Sequence, residues 1–164
     1  MSLQEFLDSG RLKRHKASAD EIRKLFDVVL RDLTDAEVHG LSDDRSFTIA
    51  YNAALQAGRA YIAAEGYRTA GQGHHHTVFQ ALRRLLDKEH HHLLDYLDDC
   101  RSKRNLAEYL GTEVTSGQEV ADLIREARNF SKLLHDLICN RHPRLQQVLT
   151  DFSKTGLISR HKSH

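Results

Sequence analysis

The fold is decided by residues 42–66, which read SDDRSFTIAYNAALQAGRAYIAAEG. Ser42 is a favourable N-cap residue, and Asp43 and Asp44 place negative charge at the positive end of a helix dipole. This start predicts a helix that runs to Gly66. Small and aromatic residues nearly encircle it, as is typical of a helix with close helical neighbours. We therefore expect it to be the central helix of the core.

Apolar residues continue at helical spacing on both sides of this segment. Ser18 and Ser116 each start a capping-box pattern, which predicts a helix after each of them. The same spacing predicts further helices over 74–86 and 91–110, with Gly111 as the stop of the second. The segment between 66 and 73 holds three glycines and is predicted to be a loop.

The remaining sequence adds little to this pattern. A short closing helix is expected after Pro143, whereas the polar residues 153–164 are expected to be a frayed tail. With one proline and few alternating apolar runs, the chain carries little sign of a sheet. The sequence predicts an all-α, up-and-down bundle of four to five antiparallel helices, with residues 1–164 as a single domain and 18–142 as its core.

Composition limits the possible functions. The chain is 40% hydrophobic and 29% charged, with no apolar run near the roughly 20 residues that a bilayer requires and no secretory signal at its start. We expect a cytoplasmic protein with no membrane contact. Its 24 basic and 23 acidic residues give a net charge of +1, so any nucleic-acid contact must be local. Cys100 and Cys139 are expected to be buried free thiols.

The predicted helix 91–110 contains one anomaly. At about 100° per residue, Leu97, Cys100 and Ala107 share an apolar face, and Arg104 projects into the middle of it. Glu108 lies one turn after Arg104. Two interpretations remain open: a buried Arg104–Glu108 pair that fixes helix register, or a patch that faces a cleft or subunit interface and binds phosphate.

Several segments together resemble the HEPN domains, helical bundles of the higher eukaryote and prokaryote nucleotide-binding type. The resemblance spans most of residues 18–142, and its most specific part is the last of these segments: Tyr51-Asn52-Ala53-Ala54-Leu55, Arg59-Ala60, Gly66-Tyr67-Arg68, Gly73-His74-His75, and Arg101-Ser102-Lys103-Arg104-Asn105-Leu106-Ala107-Glu108-Tyr109. HEPN members include toxin–antitoxin proteins, antiviral ribonucleases and partners of nucleotidyltransferases.

The resemblance implies a site on the predicted helix 91–110. In the ribonuclease members an arginine, often followed by asparagine, precedes a histidine, and two copies meet across a homodimer. Arg104 and Asn105 match, but Tyr109 stands where the histidine is expected. Tyrosine, with an ordinary pKa near about 10, keeps its proton at neutral pH and mainly donates a hydrogen bond. The implied ligand-binding residues are Arg101, Arg104, Asn105, Glu108 and Tyr109.

Three functions follow as alternatives. The first is a homodimeric module that binds RNA or nucleotide, or that partners a nucleotidyltransferase, with a degenerate catalytic motif. The second is a metal-independent ribonuclease that uses Arg104, Asn105 and Tyr109 as catalytic residues. The third is a structural interaction bundle.

Other motifs predict no cofactor and no metal site. The chain has no glycine-rich phosphate loop and no nucleophile elbow. Consecutive residues in the triplets 74–76 and 90–92 point about 100° apart on a helix, which does not favour chelation by these histidines. The histidines of the first triplet are expected to cap the helix, as the resemblance implies, or to lie on a solvated face. The basic run 11–16 is interpreted as a solvated face, with phosphate contact as the alternative.

Overall fold

The protein is described by a computed structural model that covers residues 1–71, 73–111 and 113–155, with side chains up to residue 150. Within these ranges the chain forms helices and one small antiparallel ribbon, so the all-α prediction is confirmed. The elements are, in order, α1 (Leu3–Asp8), β1 (Leu12–Arg14), α2 (Ala19–Asp35), α3 (Asp43–Ala64), β2 (Tyr67–Thr69), α4 (His74–Leu85), α5 (His91–Leu110), α6 (Gly117–Arg141) and α7 (Pro143–Thr155), with a 3-10 turn (Lys88–His90) before α5.

Helix α3 is the central helix, as its composition predicts. It contacts α2, α4, α5 and α6, and most of its residues are buried. Gly58 lets α4 approach closely, because a Cβ at this position would lie 2.9 Å from Leu82 Cδ1 and 3.0 Å from Val78 Cγ1. The buried hydrophobic side chains of the described residues form one cluster around this helix.

The predicted helix boundaries follow their capping residues. Helix α5 ends where Gly111 takes a left-handed conformation with φ +64 and donates its N–H to Ala107. Ser116 forms a complete capping box with Glu119. Ser18 accepts a hydrogen bond from the amide of Glu21, but the Glu21 carboxylate lies 2.8 Å from the ring of His15 instead. The box predicted at Ser18 is therefore only half formed.

The structure contains a ribbon that the sequence did not predict. Strand β1 pairs antiparallel with β2, and Lys13 lies opposite Arg68 in the register. The prediction of a loop over 66–73 is wrong for Tyr67–Thr69, whereas the cations of 11–16 face solvent as expected. A three-residue strand is too short to show alternation, and of β1 only Leu12 is buried. Helix α1, which buries Phe6, was also missed.

The C-terminal helix is longer than predicted. Leu145 and Leu149 are fully buried and hold the first turns of α7 on the bundle. The helix continues beyond them through residues 153–155. The predicted frayed tail therefore begins within α7, and its remainder, 156–164, lies outside the described residues. None of the helices in the described ranges combines the length and apolarity needed to cross a membrane.

Candidate functional site

Arg104 lies at the edge of the bundle. Its side chain is 23% exposed, and Nη2 is 2.9 Å from Oε1 of Glu108, whose side chain is 54% exposed. The interpretation of a buried Arg104–Glu108 pair is therefore wrong. Ala107 is the last buried residue of α5, and the neighbouring side chains of its final turn face solvent. The guanidinium is free to meet a ligand from one side.

A cavity of about 260 Å³ lies beside Arg104. Its walls come from four helices, and its lining residues are Asp32, Thr48, Ile49, Tyr51, Asn52, His75 and Arg104. The pairing of α3 with α2 and α4 brings these side chains to the arginine of α5. The cavity is large enough for a nucleobase or a phosphate group.

Tyr51 is the most unusual residue of this cavity. It is 1% exposed, and within the described part of the chain its buried hydroxyl has no hydrogen-bond partner. Arg104 Cζ lies 5.9 Å from its ring centroid, and the rings of Phe79 and His75 pack against it. Burial raises the pKa of Tyr51, against the opposing charges of Arg101 and Arg104. The hydroxyl therefore stays protonated and available to a ligand.

A chain of polar side chains holds the α2 wall of the cavity in place. Asn52 Nδ2 donates to Asp32 Oδ2 at 2.5 Å, and Gln56 Nε2 donates to Asn52 Oδ1 at 3.3 Å. Arg31 Nη2 donates to the other oxygen of Asp32 at 3.2 Å. Asp32 is 6% exposed, so these bonds offset the cost of burying its carboxylate. The arrangement leaves acceptor lone pairs at one wall and the Arg104 cation at another.

His75 contributes an imidazole to the same cavity. Its burial lowers the pKa of the ring, and the positive charges of His74, Arg104, Arg59 and Arg101 lower it further. The ring is thus mainly neutral at pH 7 and can either accept or donate a proton. Because cations surround it, an anion in the cavity would be electrostatically favoured.

The other residues predicted for the site lie outside the cavity lining. Arg101 Nε donates to Asp98 Oδ1 at 2.8 Å, and His76 Nδ1 lies 3.1 Å from the same oxygen. Asn105 accepts from Arg104 Nη1 at 3.2 Å. Tyr109 is 87% exposed and does not line the cavity. Arg101 therefore contributes its positive charge to the surroundings of Tyr51 and His75, and Asn105 and Glu108 contact the guanidinium of Arg104.

Of the seven residues that line the cavity, sequence reasoning assigned only Arg104 to the site, and two of the other six carried a signal. Asp32 interrupts the apolar stripe of α2, and Asn52 stands within the otherwise apolar centre of α3. A buried carboxylate and a partly buried amide, each in a core helix, predict a hydrogen-bond partner. Tyr51 and His75 carry no such signal, because an aromatic residue in a core helix and a histidine at a helix start are both common.

The histidine triplets do not gather with other ligating side chains. Among residues 1–71, 73–111 and 113–155, no group of three or more His, Cys, Asp or Glu side chains is placed to hold a metal ion. His91 contacts Arg83 and the carbonyl of Leu86. The interpretation of 74–76 as a side-chain cap is wrong, because Gly73 holds the N-cap position and no side chain caps α4.

The two cysteines are free, as predicted, although Cys139 is only partly buried. Burial raises the pKa of the Cys100 thiol to about 11, so it stays protonated at neutral pH.

Comparison of the chain with protein-family models, curated proteins and solved structures gave no match. The function must therefore be argued from the geometry of the Arg104 cavity.

Proposed function

We propose that the protein is a HEPN-like module that binds RNA or nucleotide, with the cavity beside Arg104 as its binding site. The observation that carries this proposal is the buried Tyr51 hydroxyl, which has no partner in the described residues and belongs to a ring whose centroid lies 5.9 Å from Cζ of the partly exposed Arg104. A buried hydroxyl without a hydrogen bond costs roughly 1–3 kcal/mol, so a ligand that supplies the missing bond gains affinity from it.

A phosphate oxygen fits the Arg104 side of the cavity. The guanidinium can donate two parallel hydrogen bonds to a phosphate. The side chain of Glu108 is exposed, so a bound phosphate can displace its carboxylate from Arg104 into solvent. The hydroxyl of Tyr51 and the neutral ring of His75 can each donate one more bond. On the opposite wall, Asp32 and Asn52 offer acceptors to the amino or imino groups of a base.

An apolar end of α5 supports the further proposal of a homodimer or a nucleotidyltransferase partner. Leu106 and Leu110 are each 49% exposed, and Tyr109 beside them is 87% exposed. Three large hydrophobic side chains within one turn favour contact with another protein surface. A homodimer formed there would bring the Arg104 residues of the two protomers near each other, since in each protomer Arg104 lies on the same helix as this apolar end.

Binding of a fluorescent nucleotide and of short RNA tests the proposed site. We expect Arg104→Gln to weaken binding about ten- to hundredfold, as the loss of a charge-assisted contact does. Arg125→Gln is a matched control, because Arg125 is an exposed arginine in ion pairs with Asp122 and Glu126 on α6. Equal affinity of the Arg104 and Arg125 variants would contradict the proposal.

A metal-independent ribonuclease is the second candidate, and His75 is the observation that favours it. A neutral imidazole in the same cavity as Arg104 can take the proton of a ribose 2′ hydroxyl as its oxygen attacks the phosphorus. The imidazolium then gives that proton to the departing 5′ oxygen, which leaves a 2′,3′-cyclic phosphate. The reaction is balanced without a further reactant.

Incubation of RNA with high concentrations of the protein in the presence of a chelator tests this candidate. We expect cleavage that is lost in His75→Gln and in Arg104→Gln, whereas Tyr109→Phe keeps it. Intact RNA after long incubation with the folded protein would exclude the ribonuclease and leave the binding module.

A further inference from the structure

A second positively charged surface lies on the ribbon formed by β1 and β2. The sequence has no acidic residue in 9–19 or in 66–86, the two segments that contain these strands. We call this surface the basic ribbon. Its exposed cations are Arg11, Lys13, Arg14, Lys16 and Arg68.

Nearby carboxylates do not neutralise the basic ribbon. Asp20 and Glu21 lie beside it in the first turn of α2. Asp20 is 2.7 Å from Arg23 Nη2 and 3.0 Å from Lys24 Nζ, and Glu21 is 2.8 Å from His15 Nε2. Glu65, which directly precedes β2, contacts Arg141 Nε at 2.7 Å. Within the described ranges, no ion pair joins a cation of the basic ribbon to a carboxylate. The surface therefore keeps its positive charge toward solvent.

The pairing of the two strands places like charges face to face. Lys13 lies directly opposite Arg68 in the ladder. Like charges at opposite positions destabilise an antiparallel pair, so the ribbon is held despite this repulsion. An anion that contacts both side chains would remove the repulsion between them. The next pair along the ladder, Arg14 and Tyr67, points to the other face of the ribbon, where the guanidinium of Arg14 lies 5.9 Å from the ring centroid of Tyr67.

Arg59 connects the basic ribbon to the Arg104 cavity. It is an exposed residue of α3 and lines a groove of about 550 Å³ together with Arg68 and Tyr67 of the ribbon. Its charge also contributes to the lowered pKa of His75, which lines the Arg104 cavity. Arg104, Arg59 and the basic ribbon thus form consecutive positions along one side of α3.

The path from the Arg104 cavity past Arg59 to the basic ribbon, which we call the track, is longer than one nucleotide. Asn52 lines the Arg104 cavity and Ala63 lines the ribbon groove, which puts the two about 16 Å apart along α3 at 1.5 Å per residue. A track of that length matches a strand of roughly four nucleotides or more, at the low end of what single-strand binding domains cover.

We propose that the basic ribbon is a second binding site for single-stranded RNA, and that one strand runs from the Arg104 cavity past Arg59 onto Lys13 and Arg68. This proposal rests on the proposed function, because the Arg104 cavity anchors the strand. The preferred ligand is then an oligonucleotide rather than a free nucleotide.

Features of the ribbon favour a nucleic acid over an anionic membrane. Of the large hydrophobic side chains that are exposed in the described ranges, only Met1 lies beside the ribbon, where its sulfur is 3.7 Å from Arg11 Nη1, and one such side chain is little to insert between lipids. The part-buried rings of Tyr67 and His15 instead line the groove beside the cations. Cations interleaved with rings suit a strand whose bases can stack.

Anisotropy titrations with labelled uridine dinucleotide and with an oligouridylate of about twelve residues test this proposal. The test variant is Lys13→Gln with Arg68→Gln, which should fold well because it removes a like-charge pair. The matched control is Lys88→Gln with Lys132→Gln, an equal loss of charge at two exposed lysines on other elements. The thermal midpoint of each variant establishes that it is folded.

We expect the test variant to bind the dinucleotide as the unaltered protein does and to lose most of the extra affinity for the longer strand. Two lost phosphate contacts lower the salt slope by about 1.4, so between roughly 50 and 200 mM salt the unaltered protein should lose about sevenfold more affinity than the variant. The control variant should keep both the affinity and the slope.

Three outcomes would overturn the proposal. The first is that the test and control variants bind the long strand equally well. The second is that polyglutamate of similar length competes as well as RNA does, which would make the ribbon a general anion surface. The third is that vesicles of phosphatidylcholine with about one third phosphatidylserine bind the protein while RNA does not. If Arg104→Gln leaves dinucleotide binding intact but the ribbon variant weakens the long strand, the Arg104 site fails and the ribbon site stands.

Discussion

Replacement of Tyr51 by phenylalanine should make the protein more stable and its ligand binding weaker. The ring stays in place, since it is 1% exposed and packed against Phe79 and His75. Only the hydroxyl is removed, and it has no hydrogen-bond partner in the described residues. A buried polar group without a partner costs about 1–3 kcal/mol, so we expect Tyr51→Phe to raise the free energy of unfolding by about 1–2 kcal/mol.

For a chain of this length, such a change raises the thermal midpoint by about 2–8 °C. The same substitution removes one hydrogen bond to a bound phosphate, which weakens nucleotide binding about ten- to hundredfold. Calorimetry measures the first effect and anisotropy the second. Tyr109→Phe is the matched control, because this hydroxyl belongs to a side chain that is 87% exposed and should change neither quantity. A lower midpoint in Tyr51→Phe would refute the stability argument, and unchanged affinity would refute the role of the hydroxyl.

Three further predictions follow from the packing and the charges. His75 should titrate in NMR spectra below the ordinary histidine pKa, because burial and nearby cations lower its pKa, and a bound nucleotide should raise that pKa. The contribution of the neutral ring to stability is complete above about pH 6.5, and stability falls as the pH drops below that value. A His75 pKa that does not change when nucleotide is added would argue against the site. Gly58→Val should cost about 1–3 kcal/mol in urea denaturation, since its Cβ alone would lie 2.9 Å from Leu82, and an unchanged midpoint would show that α4 yields easily. Burial raises the pKa of Asp98, but hydrogen bonds from Arg101 and His76 outweigh burial, so the net pKa is lowered. The ionised carboxylate therefore stabilises the protein above about pH 4, and this stabilisation is lost below that pH. In Asp98→Asn the free energy of unfolding should depend less on pH in that range.

The sequence predicted the helices well because their determinants are local. Helix α5 was predicted with the bounds that the structure has, since the apolar spacing is regular and Gly111 supplies the left-handed residue that ends it. The central position of α3 followed from its small residues, which permit close helix neighbours. Each of these signals lies within the element that it describes.

The ribbon and most of the cavity could not be predicted in this way. Strand β1 exists because β2 completes its hydrogen bonds, and the two are separated by the whole of α2 and α3. Likewise the helical projection of α5 identified Arg104 but not its neighbours, because Asp32, Tyr51 and His75 come from three other helices. The resemblance implies Tyr109 by its spacing from Arg104, whereas in the structure its side chain faces solvent.

The long separation between β1 and β2 also determines when the ribbon forms. Pairing of Arg14 with Tyr67 closes a long loop, and this closure costs about 3.5 kcal/mol in chain entropy. The hydrogen bonds of a three-residue ladder do not offset that cost by themselves. Docking of α2 against α3 brings the two ends together first, so the ribbon should assemble late and open early. Amide protons of the ribbon should then exchange with solvent well before those of α3. A partly unfolded chain would therefore lose the ribbon before it loses the Arg104 cavity.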